Sequence, residues 1–136
     1  MKIIGLDGKT HTLNLPTKSK PKMKVSQLHA QARTLLRDTF PLDLIYEEVT
    51  LPGTKTQRSN KPLHADFFIP RQQLLIEVQG EQHYKFIYYF HTHKNEYYKA
   101  KARDADKRYW CELNNIRLVE LPYNESREQW VERIQG

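Results

Sequence analysis

Two short apolar runs, each carrying a single carboxylate, constrain this chain more than any other feature. The first is His64-Ala65-Asp66-Phe67-Phe68-Ile69 and the second is Leu74-Leu75-Ile76-Glu77-Val78-Gln79. Pro70-Arg71-Gln72-Gln73 joins them, and Gly80 follows. Run length, the flanking Pro and Gly, and the aromatic and β-branched content read as a β-hairpin. The neighbours of Asp66 and Glu77 are too apolar for strands that face solvent. An unpaired carboxylate buried there is costly, so such a strand pairs it or gives it a metal. Two carboxylates on paired strands can converge on one hard cation held by oxygen ligands. A cation so held activates water and stabilises a phosphoryl transition state.

The elements around this hairpin predict an α/β domain. Residues 1–15 suggest a small hairpin about Asp7-Gly8-Lys9. Residues 16–24 are basic and linker-like. Ser26 opens a helix to about Asp38, with Leu28, Ala32, Leu35 and Leu36 at helical spacing. Phe40-Pro41 stops it. Residues 44–51 read as a strand that ends at Pro52-Gly53. Beyond the central hairpin, a helix from about Asn95 to Leu113 ends at Asn114-Asn115. A strand at 116–121 follows, then a helix capped by Ser126 that carries Trp130, Val131 and Ile134. The order of helix, three strands, helix, strand, helix implies a sandwich with a mixed central β-sheet flanked by helices. At 136 residues the chain has room for one core. The division expected is an N-terminal hairpin and basic arm at 1–24 and a main domain at 25–136.

Lys and Arg number 22 against 16 Asp and Glu, a formal net charge of +6. Such a surplus suits a polyanionic partner. Lys18, Lys20, Lys22 and Lys24 lie in the N-terminal segment, as either a backbone-contacting arm or a solubilising tether. Lys55, Arg58 and Lys61 precede Asp66, and Lys94, Lys99, Lys101, Arg103, Lys107 and Arg108 follow the hairpin. No run approaches the length of a membrane span, and no signal-peptide pattern is present. The expected setting is therefore cytoplasmic, with no membrane partner. The single Cys111 can form no intramolecular disulfide and reads as a small core residue.

The arrangement Asp66, hairpin, Glu77-Val78-Gln79 resembles the signature of the PD-(D/E)XK nuclease superfamily. The longer phrase Ile76-Glu77-Val78-Gln79-Gly80-Glu81-Gln82-His83, followed by Arg103-Asp104 and Lys107-Arg108, looks most like one branch of it. That branch holds very-short-patch-repair endonucleases and related phage and homing endonucleases. The resemblance spans roughly residues 44–123. Two positions depart from the pattern: Gln79 stands where a Lys or Asp is common, and Ala65 stands where the Pro of the family's name would be.

The resemblance implies a restriction-endonuclease-like fold and a metal-dependent DNA endonuclease that hydrolyses phosphodiester bonds with metal-activated water. Nicking, repair, homing and branched-DNA processing all fit. Asp66, Glu77 and the carbonyl of Val78 would then hold Mg²⁺ or Mn²⁺. Gln79 would orient water, since an amide supplies neither charge nor base. His83 would serve as base or water ligand; its alternative is a structural His in the aromatic segment 84–93. Lys107, with Asp104 near it, would face the cleft and supply the cation that Gln79 lacks. Lys85 is the alternative, and a solvated helix face is the bland reading. Specificity would come from DNA structure, a homodimer or a partner protein. The rival function is a catalytically inactive DNA-binding or assembly module on the same fold.

On the strand before the hairpin, alternation groups Glu47 with Ile45 and Val49. Glu47 is therefore expected to point inward as a further metal ligand, leaving Glu48 exposed. His64 could share a face with Asp66, but a structural role is favoured.

Overall fold

The computed structural model describes residues 1–15, 19, 25–56, 60–80 and 94–136, with 94–97 by their backbone alone. Lys18, Lys20, Lys22, Lys24, Arg58, His83 and Lys85 lie outside the described residues.

The strands are β1 (Lys2–Ile4), β2 (Thr10–Thr12), β3 (Tyr46–Thr50), β4 (His64–Ile69), β5 (Leu74–Gln79) and β6 (Arg117–Pro122). The helices among the described residues are α1 (Gln27–Thr39), α2 (Lys94–Leu113) and α3 (Arg127–Gln135). β1 and β2 pair as an antiparallel hairpin. The other four strands form one sheet in the order β3-β4-β5-β6. β3, β4 and β5 are antiparallel neighbours, and β6 runs parallel to β5, so the sheet is mixed. A parallel neighbour needs a crossover, and α2 lies within it.

Helices cover both faces of the sheet. On one face Ala32, Leu35 and Leu36 of α1 and Trp130 and Ile134 of α3 pack on Phe67, Ile69, Leu74, Ile76, Val119 and Leu121. On the other, Trp110 and Cys111 of α2 meet Val49, Ala65, Phe68 and Leu75. Alternate residues of β4 and β5 thus feed two different cores. That is why these strands read as unbroken apolar runs rather than as alternating ones. Two indole N–H groups tie the layers to the backbone. Trp110 Nε1 donates to Pro52 O at 2.9 Å and Trp130 Nε1 to Pro122 O at 2.8 Å.

Local chemistry sets the element ends. The Ser26 hydroxyl accepts from His29 N at 3.1 Å, and Ser126 with Gln129 forms a reciprocal capping box. α2 ends with Asn115 at φ 56°, in the left-handed region that Asn tolerates. Ile116 N donates to Cys111 O at 2.9 Å and Asn115 N to Glu112 O at 3.3 Å, a Schellman closure. Between β4 and β5, Pro70–Gln72 makes a single 3₁₀ turn and Gln73 closes it at φ 48°.

The N-terminal hairpin packs on the α2 side of the sheet. Ile3, Leu13 and Leu15 are buried in the same core as Trp110 and Val49. Asn114 at the end of α2 clasps Ile4, accepting from its N–H at 2.6 Å and donating to its carbonyl at 2.9 Å. No helix among the described residues is long and apolar enough to cross a membrane.

Candidate metal and phosphoester site

Glu77 sits on the α2 side of β5, one residue beyond the apolar run that buries the strand. Its side chain is 17% exposed and forms an ion pair through Oε1 with Lys107 Nζ, itself 16% exposed. Lys107 projects from α2, one turn before the buried Cys111. Asp66 arrives from β4. Its Oδ2 accepts from Val78 N at 2.8 Å, which fixes the carboxylate against β5. Asp66 also meets Glu77 through charge and a side-chain hydrogen bond.

These contacts set the electrostatics. Burial pushes the Glu77 carboxyl up from an ordinary 4.5 to about 8; Lys107 opposes the rise and the neighbouring Asp66 adds to it. The same burial pushes the Cys111 thiol up to about 12, with the Glu77 charge contributing. Cys111 is therefore an unreactive core residue.

A cleft of about 60 Å³ opens here, lined by Glu77, Val78, Gln79, Asp104, Lys107, Leu118 and Glu120. The parallel register sets Glu120 of β6 directly beside Glu77. The structure therefore brings together Asp66, Glu77, Gln79 and Lys107, with Asp104 on the same cleft wall. The donors are carboxylate, amide and carbonyl oxygens, which fit a hard divalent cation. A larger cavity of about 540 Å³ lies between α1 and α3, lined by Gln31, Thr34, Leu35 and Trp130 among others. It shares no residue with this cluster.

Glu47 is not in the cleft. Its carboxylate turns to the α1 layer, where Arg33 donates to it at 2.7–3.0 Å and His29 Nε2 lies 2.9 Å from Oε1. Burial alone would raise its pKa, but the Arg33 and His29 hydrogen bonds overcome that and lower it. The expected alternation fails at Glu48, which has φ 49°. This left-handed residue flips the strand. Glu47, paired with Phe67, faces α1, whereas Val49, paired with Ala65, faces the α2 core. Glu48 is consequently not the exposed residue expected. It is half-buried, and ligand atoms of His29, Glu48 and Asp66 lie within 4.8 Å of one another.

His64 is exposed and its Nδ1 lies 3.1 Å from Thr50 Oγ1, a local strand-to-strand contact. Lys55, Lys61 and Arg103 are exposed. Sequence reasoning missed Glu120, His29 and Glu48. Glu120 carried a usable signal, a carboxylate in an apolar strand, the same one that marks Asp66 and Glu77. His29 shares the spacing of Ala32, Arg33 and Leu36 on the inward face of α1. Glu48 had no signal, because its place depends on an unusual backbone angle.

No family model matches this chain, and no solved structure matches it. It is similar to three viral proteins, none with a described activity. Uncharacterized protein 307L of Invertebrate iridescent virus 6 is 40% identical over 72 residues, 53% of this chain and 36% of that protein. Uncharacterized protein 033L of Invertebrate iridescent virus 3 is 39% identical over 61 residues, 45% of this chain and 31% of that protein. Uncharacterized protein 094L of Frog virus 3 is 30% identical over 79 residues, 57% of this chain and 51% of that protein. The chain thus spans about a third to a half of the relatives it matches.

Proposed function

We propose that this chain is a metal-dependent DNA endonuclease on a restriction-endonuclease-like fold. The observation that carries the reading is the meeting of Asp66, Glu77 and Lys107, from β4, β5 and α2, at a cleft that Gln79 and Glu120 also line. Asp66, Glu77 and the Val78 carbonyl are the groups that would hold Mg²⁺ or Mn²⁺, with Glu120 beside them. Such an ion supplies a water of lowered pKa and a counter-charge for the phosphoryl oxygens. The chain's own groups do the rest. Gln79 orients the attacking water through its amide. His83, outside the described residues, takes that water's proton. Lys107 places an ammonium at the scissile phosphate and fills the role left vacant by Gln79. The exposed Lys55, Lys61 and Arg103 and the arm lysines hold the DNA backbone.

One observation favours the rival reading, an inactive DNA-binding module. Lys107 already engages the Glu77 carboxyl without any metal. The two separate in one assay on supercoiled plasmid with Mg²⁺ or Mn²⁺, with and without EDTA. The nuclease relaxes or linearises plasmid only with metal, and Asp66→Ala and Glu77→Ala abolish this. Plasmid that is bound but uncut with either ion would establish the inactive module. Cleavage by both variants in excess EDTA would remove the carboxylates from the chemistry.

A further inference from the structure

We propose that His29, Glu48 and Asp66 form a second cation site, selective for a transition ion such as Mn²⁺ or Co²⁺ over Mg²⁺. Three elements supply one ligand each: α1, β3 and β4. Their ligand atoms lie within 4.8 Å of one another, so one ion can span them.

His29 is prepared for this role. It is only 6% exposed, and its ring stacks on Phe67 with centroids 4.4 Å apart. Its Nε2 lies 2.9 Å from a Glu47 oxygen, and Arg33 donates to the same carboxylate at 2.7–3.0 Å. The ring therefore donates from Nε2, which leaves the lone pair on Nδ1. Nδ1 has no partner among the described residues. A carboxylate behind a histidine, fixing its tautomer and raising its basicity, is how metal-ligating histidines are commonly held.

Glu48 has neither a hydrogen bond nor an ion pair among the described residues. The chain nevertheless holds it half-buried beside Asp66, at φ 49°. The strand flip also explains why Asp66 serves two sites. It sits where the strands change faces, with Glu77 on the α2 side and His29 on the α1 side. The nitrogen donor sets the selectivity, since imidazole suits later first-row ions and Mg²⁺ gives up its waters reluctantly.

The site does not depend on the nuclease reading, and binding alone tests it. The full chain is titrated with Mn²⁺ by electron paramagnetic resonance in excess Mg²⁺, and with Co²⁺ by visible absorption. Wild type should still bind Mn²⁺ under excess Mg²⁺. Glu48→Gln should weaken that binding by roughly 10-fold or more, and Glu77→Gln should leave it in place. His29→Gln should remove the nitrogen contribution to the Co²⁺ spectrum. Glu48→Gln changes a half-buried side chain and keeps its shape, so it remains informative if His29→Gln unfolds. Displacement by Mg²⁺, wild-type Mn²⁺ affinity in Glu48→Gln, or loss of the ion in Glu77→Gln would each overturn the proposal. The last result would place the ion in the Glu77 cleft.

Discussion

In the presence of chelator at about pH 8, Glu77→Gln should make the protein more stable than the wild type. The sign follows from the direction of the shift. In the unfolded chain Glu77 ionises near 4.5, whereas in the folded protein it keeps its proton to about 8. Its contribution to stability is therefore full below 4.5 and is lost as pH rises from there through about 8. At about 1.4 kcal/mol per pH unit, that interval sets an upper limit of about 5 kcal/mol. Glutamine has no proton to lose and escapes the penalty. The value of about 8 already includes the attraction of Lys107, so the loss of that contact is not a separate cost. The net advantage expected is up to about 5 kcal/mol at pH 8, shrinking toward zero as pH falls to about 5. Glu47 is held low by Arg33 and His29, so it produces the opposite slope, stability lost as pH falls below 4.5. That slope is common to both proteins and cancels in the difference. The assay is urea unfolding in EDTA at several values from about pH 5 to 8.5. Parallel stability–pH curves for wild type and Glu77→Gln would refute the burial and crowding assigned to Glu77.

Lys107→Met should slow cleavage by about 10²-fold or more, the scale of one lost electrostatic contact to the transition state. DNA affinity should change little, and Gln79→Lys should be tolerated and partly restore the rate; a wild-type rate in single-turnover assays would reduce Lys107 to a structural ion pair. Glu48→Gly keeps φ 49° without the Cβ conflict, so it should stabilise the fold by about 1 kcal/mol, or roughly 4 °C in melting temperature. An unchanged or lower melting temperature in calorimetry would mean the angle carries no strain. Neutralising Lys18, Lys20, Lys22 and Lys24 should flatten the salt dependence of duplex binding by roughly 0.9 log units per lost phosphate contact. An unchanged slope would identify the arm as a tether.

The sequence by itself determined the order of elements and most of their boundaries. Ser26, Ser126, Phe40-Pro41 and Asn115 act within one turn of the chain, so their effect is local and readable. It also marked Asp66 and Glu77, because a carboxylate inside an apolar run is visible without knowing what lies opposite. The spacing on α2 and the resemblance together put Lys107 at the cleft. Tertiary structure decided what depends on pairing and on which face a residue takes. Glu120 joins the site only because β6 docks parallel to β5 in a register that sets it beside Glu77. The N-terminal hairpin belongs to the core because Ile3 and Leu13 join Trp110 in one cluster across roughly a hundred residues of chain. Glu47 turns to Arg33 and His29, and Glu48 is half-buried beside Asp66, because one left-handed residue overrides strand alternation. Periodicity assumes a regular backbone. A single φ of the other sign turns every later side chain to the opposite face, and only the three-dimensional packing around that residue can select it.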